Sequence, residues 1–219
     1  MEFVARKDDW IKYADSVRDN NPIHRDDALA RGAGLEGAIA PGMWLASHVQ
    51  GNSKIKKAEF SFKKPVYDGE TIKRNSYSFR RGDEVVCKGD VIFGEPTNQI
   101  VFLPEDIVKI AYFQDFLASE KDVMNYLNSL GFDGERANPE MYLMSLSAPT
   151  LLGYAELNGL VGIHAYQSME VCRPFDLGNV TVNVEEEKIG KRMCKFNLYW
   201  ESRGEVVATG KSKVLPVSI

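Results

Sequence analysis

Cysteine is scarce in this chain and cannot pair up. Its three thiols, Cys87, Cys172 and Cys194, are odd in number and far apart. They make no CxxC metal or redox motif and no disulfide framework, which suits a reducing compartment. Each lies in an apolar or alternating run, where a buried and inert thiol is expected. Basic excess is missing as well: a net charge of -4 leaves no basic stripe for nucleic acid. No apolar run approaches the roughly 18 residues that a membrane span takes. Residues 1–10 are mostly charged, so no secretory leader is expected. Glu185-Glu186-Glu187 has no histidine or cysteine beside it and reads as a solvated turn, with no metal site. The expectation from these absences is a soluble cytoplasmic protein with neither nucleic-acid nor membrane partner.

What is present is enough chain for two units. A length of 219 residues accommodates two cores of roughly 100 residues each. Residues 2–5 suit a short strand. Trp10, Tyr13, Ala14 and Val17 fall at helical spacing, and Asp8 and Asp9 favour the start of that helix through its dipole. Residues 26–31 read as a further helical turn, and residues 39–46 as a buried helix with Pro41 in its first turn. The period then changes to two. Ala58, Phe60 and Phe62 alternate with polar neighbours, residues 71–79 make a second strand, and residues 85–93 a third after the Arg81-Gly82-Asp83 turn. A helix followed by antiparallel strands implies an α+β layer. Glu95-Pro96-Thr97-Asn98 is the natural linker. The order then repeats, with helix predicted from about residue 105 through 130, a buried helix at 141–154, and strands at 165–172, 180–184, 194–200 and 206–215.

Three echoes support a duplication. Arg81-Gly82-Asp83-Glu84-Val85-Val86 resembles Arg203-Gly204-Glu205-Val206-Val207. Lys64-Pro65-Val66-Tyr67-Asp68 resembles Arg173-Pro174-Phe175-Asp176, and Pro41-Gly42-Met43-Trp44-Leu45 resembles Pro139-Glu140-Met141-Tyr142-Leu143. Three matches in one order argue for two copies of one unit, packed as a pseudo-dimer within the chain. The division expected is 1–96 and 97–219.

The stretch that carries chemistry is Asp19-Asn20-Asn21-Pro22-Ile23-His24. Pro22 forbids a continuing helix and pushes Asn21 to an extended or turn conformation. Asp19 and His24 then flank a sharp turn, where both can face one small molecule. A carboxylate and an imidazole sharing a water suffice to add or remove the elements of water; the plainer alternative is a helix end followed by a solvated turn. The second copy has Phe113-Gln114-Asp115 and a longer helical stretch instead, with no histidine before His164, so one such site per chain is expected. Gly32-Ala33-Gly34-Leu35-Glu36-Gly37 spells G-x-G-x-x-G, but no apolar strand precedes it, so a close-packed loop is expected in place of a dinucleotide site. The lysines at 54, 56, 57, 63 and 64 fit a solvated strand face or the rim of a site for a phosphate-bearing tail. His48 and His164 read as structural, and Trp10, Trp44 and Trp200 as core.

Asp-x-Asn-Pro-x-His, the apolar helix after it, and Phe60-Ser61-Phe62-Lys63-Lys64-Pro65-Val66-Tyr67-Asp68-Gly69-Glu70 together resemble the MaoC-like hydratases and dehydratases, which include (R)-specific enoyl-CoA hydratases. The resemblance covers residues 3 to 95, and residues 105 to 215 as a degenerate copy. It implies a double hotdog, each half an antiparallel sheet wrapped around a long helix, with the second half lining an acyl tunnel. It further implies a hydro-lyase acting on an enoyl or 3-hydroxyacyl thioester. Asp19 and His24 would be its catalytic dyad, and the backbone N–H of Gly42 the oxyanion partner. Asn21, Pro41 and Met43 are the candidates for substrate binding, Asn21 more as a brace for the loop. No cofactor is implied beyond the CoA or acyl carrier protein that belongs to the substrate. The partners implied are that thioester and the intrachain pseudo-dimer, with a homodimer of double hotdogs as a further option. Two departures stand out: Val17-Arg18 replaces the family's Ser-Gly ahead of the aspartate, where Arg18 would bear on the entrance or on Asp19, and Pro41 replaces a histidine. A non-catalytic acyl-CoA-binding protein and a hotdog thioesterase are the competing readings.

Overall fold

The computed structural model describes residues 1–49, 53–101, 103, 110–131, 139–159, 161–175 and 178–217. The first half opens with strand β1 (Glu2–Val4) and helix α1 (Lys7–Ser16), whose buried Trp10, Tyr13 and Ala14 form one stripe. A single 3-10 turn (Pro22–His24) and the short helices α2 (Asp27–Gly32) and α3 (Gly42–Ser47) follow. Strands β2 (Ile55–Phe62), β3 (Thr71–Asn75), β4 (Ser78–Arg81) and β5 (Glu84–Phe93) complete it. The second half runs β6 (Ile110–Ala118), α4 (Glu120–Ser129), α5 (Pro139–Ser145), α6 (Ser147–Leu157), β7 (Val161–Val171), β8 (Gly178–Lys188), β9 (Cys194–Ser202) and β10 (Glu205–Val217).

All ten described strands belong to one antiparallel sheet, in the order β1-β3-β4-β5-β2-β7-β10-β9-β8-β6. The order is a mirror image about the β2–β7 seam, where Lys57 lies opposite Glu170, Glu59 opposite Ser168 and Ser61 opposite Tyr166. The helices lie against one face of the sheet, and Trp10, Trp44 and Trp200 are fully buried between the layers.

The duplication is legible atom by atom. The N–H groups of Lys63 and Lys64 both donate to the Val86 carbonyl, and those of Cys172 and Arg173 both donate to that of Val207. Lys64 and Arg173, and Val86 and Val207, are among the residues the sequence echoes pair. Each half also carries a bulge at the same place: Ile55 faces Phe93 with Lys56 left over, and His164 faces Val214 with Ala165 left over. A fourth echo, missed in the sequence, joins α1 to α4. Ser16 and Ser129 each donate to the carbonyl of the tyrosine three residues back, Tyr13 and Tyr126. Those two rings meet between the halves at 5.8 Å. Ser47 and Ser145 likewise each donate to a carbonyl one turn back, Met43 and Met141.

Several expectations are corrected. The stretch predicted as helix ahead of residue 118 is strand β6 from Ile110, and helix begins only at Glu120, capped reciprocally by Ser119 and Asp122. The start proposed near residue 105 lies outside the described residues. Phe113-Gln114-Asp115 thus corresponds to the β1 region and not to the Asp19–His24 turn, and residues 132–138, after α4, lie outside the described residues. The strand predicted over 71–79 is two strands, broken at Ser76, whose φ is 52°. The helix over 141–154 is two helices, because Pro149 lacks an N–H and crowds the carbonyl four residues back at the end of α5. In the first half, helix starts at Gly42 and not at 39: Ile39 and Ala40 are tied as extended chain to the Ile23 and Val66 carbonyls. Glu185, Glu186 and Glu187 are in β8, where Glu185 accepts from Asn197 and Tyr199, and Glu186 from Tyr154. The glycine loop is not close-packed throughout: a Cβ on Gly32 or Gly34 would meet open space, and Gly34 is set by its φ of +82°. Helix α2, not a strand, precedes it.

Candidate active site

The end of α1 delivers Asp19. Arg18 takes a left-handed φ of 62°, its N–H donates to the Asp15 carbonyl, and the Asp19 N–H reaches back to that of Ala14. This is the Schellman ending, which ordinarily wants glycine at the left-handed position. It accounts for the glycine that the family resemblance led one to expect there. The Arg18 guanidinium lies over the Phe116 ring, 6.0 Å from its centre, and so braces the second half.

Asn21 then locks the turn. Its N–H donates to Asp19 Oδ1 at 3.1 Å, its Oδ1 accepts from the Ile23 N–H, and its Nδ2 donates to the Gly162 carbonyl on β7 at 3.1 Å. A side chain so fully engaged is a brace. Pro22 opens the 3-10 turn, and Ile23 and His24 are buried. The Trp10 indole donates to the His24 carbonyl at 3.0 Å, fixing the turn to α1.

His24 Nδ1 lies 2.8 Å from the Ile39 carbonyl. A carbonyl only accepts, so Nδ1 carries the proton, and in the neutral ring Nε2 is left with a lone pair. That nitrogen is 3.8 Å from Asp19 Oδ2, too far for a direct hydrogen bond. Both atoms therefore keep their capacity for a third group. Burial pulls the His24 pKa below the ordinary imidazole value, partly opposed by the Asp19 carboxylate and the Ile39 carbonyl. The ring is neutral at neutral pH.

Two adjoining chambers meet at His24. One is lined by Asp19, Asn21, His24, Gly162, His164 and, from α6, Leu151 and Leu152. The other is lined by His24, Gly42, Phe62, Lys63, Lys64 and His164 among others. Gly42 begins α3, and its N–H has no hydrogen-bond partner among the described residues. A Cβ there would sit 2.8 Å from the Phe62 ring, so glycine is also demanded by packing. Pro41 caps α3 and Met43 is buried in the core; neither is among the described residues lining a chamber. Asp19, Asn21, His24 and Gly42 are brought together, and Pro41 and Met43 are not.

His48 is structural: its Nδ1 lies 2.8 Å from the Trp44 carbonyl, and its ring stacks on Phe3 at 4.5 Å. His164, read from the sequence as structural, lines both chambers. Its one sequence signal was its place opposite Ile55 in the repeat, which becomes readable only once the strands are aligned. Cys87, Cys172 and Cys194 are buried free thiols, and burial raises the first two further. No described helix is long and apolar enough to cross a membrane.

Residues 2–91 match the family model described as MaoC like domain. Over its length the chain is similar to a solved MaoC-like dehydratase, with a TM-score of 0.71, 14% identity, and 99% of this chain and 96% of that chain covered. It is also similar to a MaoC-like dehydratase from Phytophthora capsici, with a TM-score of 0.62, 12% identity, and coverage of 100% and 95%. A Lactobacillus plantarum protein named as an oleoyl thioesterase shares the fold at a TM-score of 0.53 and 11% identity, with coverage of 100% and 96%. No curated protein matches. At these identities the structural likeness is one of fold, and the fold is the α+β hotdog.

Proposed function

We propose, from the MaoC like domain that residues 2–91 form, that this chain adds water to, or removes it from, the 2,3 bond of an acyl thioester in the (R) sense. The observation that carries this reading is the 3.8 Å gap between His24 Nε2 and Asp19 Oδ2, which opens on a chamber and suits one water held by both. In the hydration direction His24 Nε2 takes a proton from that water as its oxygen bonds to C3. The C2–C3 π electrons move toward the thioester, whose oxygen gains negative charge and is received by the Gly42 N–H. The dyad then returns the proton to C2, so that the water is fully accounted for. Dehydration is the reverse.

The two chambers divide the substrate. Lys63 and Lys64 line the chamber that holds Gly42, a setting suited to the phosphate-bearing arm of CoA or of acyl carrier protein. Leu151 and Leu152 of α6 give the other chamber an apolar wall for the acyl chain. The second half thereby acts as the acyl-binding half, with 1–96 and 97–219 as the working division. The resemblance calls for no cofactor beyond the carrier arm of the substrate itself.

The test is loss of enoyl-thioester absorbance with crotonyl-CoA and a longer trans-2-enoyl-CoA, on wild type, Asp19→Asn and His24→Ala. Turnover that vanishes in both folded variants is the expected result. Saturable binding without turnover in wild type points to a non-catalytic acyl-CoA-binding protein. Release of free thiol points to a thioesterase.

A further inference from the structure

His164 and His24 are the two residues that line both chambers among those described, so the two imidazoles stand where the chambers adjoin. They come from different halves: His24 from the turn after α1, His164 from β7. The His164 ring is tilted against Phe62 at 6.4 Å, the same ring that covers Gly42. Its Nε2 is out of contact with solvent and has no hydrogen-bond partner. A buried polar atom left unpaired costs free energy, and the fold shows how that cost would be avoided. The equivalent residue across the pseudo-symmetry, just before the matching bulge, is Ile55, fully buried with nothing to satisfy. The same comparison sets Glu140 against Gly42. Where the working side has a bare N–H and an open chamber, the other side has a buried carboxyl. A polar residue stands where its counterpart is aliphatic on the side with the open chamber and the dyad, and its Nε2 finds no hydrogen-bond partner among the described residues.

We propose that His164 is a third catalytic residue, which holds by hydrogen bond from Nε2 the oxygen that enters or leaves C3. The proposal rests on the hydratase reading above. The ring faces Asp19, which favours its charged form, and His24, which disfavours it, while burial holds its pKa at about 4; at neutral pH it is uncharged. A neutral imidazole with Nε2 protonated donates one hydrogen bond. The water's own two hydrogens are then free for His24 Nε2 and Asp19 Oδ2, and its oxygen is held by His164. In dehydration the same donor meets the departing oxygen as it gains charge.

The experiment compares wild type with His164→Ile, which installs the residue of the equivalent position, and His164→Gln, which keeps a donor. With trans-2-enoyl-CoA, kcat in His164→Ile is expected to fall by about 100-fold with KM little changed, and His164→Gln to recover part of that loss. Binding supplies a readout that does not need turnover. Wild type should prefer (R)-3-hydroxybutyryl-CoA over butyryl-CoA, His164→Ile should lose that preference, and its affinity for butyryl-CoA should stay within a few-fold. Unchanged kcat in a folded His164→Ile overturns the proposal, as does an unchanged hydroxyl preference. If wild type shows no turnover, the hydratase reading fails by itself, and the binding comparison still decides for or against His164.

Discussion

Acidification should destabilise this protein through its histidines before most of its carboxylates titrate. All three imidazoles are buried in the folded chain and held below their ordinary range, His48 and His164 at about 4. His48 is the cleanest case, since its ring is packed between Phe3 and Trp44 with the cationic Arg74 nearby. Below about 6.5 the unfolded chain takes up protons that the folded rings refuse, so stability falls as pH falls. Between about pH 7.5 and about pH 5.5 each of these two histidines withdraws about 1.4 kcal/mol, and both together about 3 kcal/mol. His24 adds to the loss in the same direction. Carboxylates at their ordinary values near 4 remain largely ionised over that interval; Glu140, raised by burial, acts in the opposite direction. Urea unfolding at the two pH values, on wild type and His48→Phe, isolates the effect. The variant forfeits the bond to the Trp44 carbonyl at both pH values alike, so only the pH-dependent part is compared. That part should be smaller than in wild type by about 1.4 kcal/mol. Equal losses in the two proteins, or no loss in wild type, would refute the reasoning.

Three further predictions follow from the site's frame. Gly42→Ala should cost about 1–3 kcal/mol of stability by overpacking against Phe62, and Gly42→Ala with Phe62→Leu should regain part of it in the same melts. Arg18→Gly should be more stable than Arg18→Ala by about 0.5–1 kcal/mol, since only glycine relieves the left-handed strain; chemical denaturation of the two variants ranks them, and the reverse order would contradict the Schellman reading. Asn21→Ala removes the turn's cap and its tie to Gly162, and should cost about 1–2 kcal/mol together with a fall in kcat, read by denaturation and by the enoyl-CoA assay.

The sequence made the working half more legible than the silent one, for physical reasons. Asp19, Pro22 and His24 announce a turn because proline restricts both itself and its neighbour, and the structure places that turn where the spacing put it. β6 misled because it is an edge strand. Phe116 and Ala118 are buried, but Phe113 and Leu117 on its other face are largely exposed, so apolar residues stand on both sides and the alternation of a strand is lost. The breaks at Ser76 and before Pro149 depend on a positive φ and on a ring–carbonyl clash, both invisible to periodicity. His164 was unreadable for a different reason. Its neighbours Asp19 and His24 lie far off in the chain, and only the joining of β2 to β7 brings them together. The three echoes contained the needed register, but not the fact that the two sheets are one.

That single sheet has a mechanical consequence. Because β2 and β7 are hydrogen-bonded across the seam, the halves have no hinge between them and cannot swing apart like jaws to admit a ligand. The strands form a fixed floor, and admission belongs to the roof: the turn at residues 19–24, the loop beyond α2, and α6. Amide exchange with and without bound acyl-CoA would then change over the roof, while the protons along the seam stay as slow to leave as before.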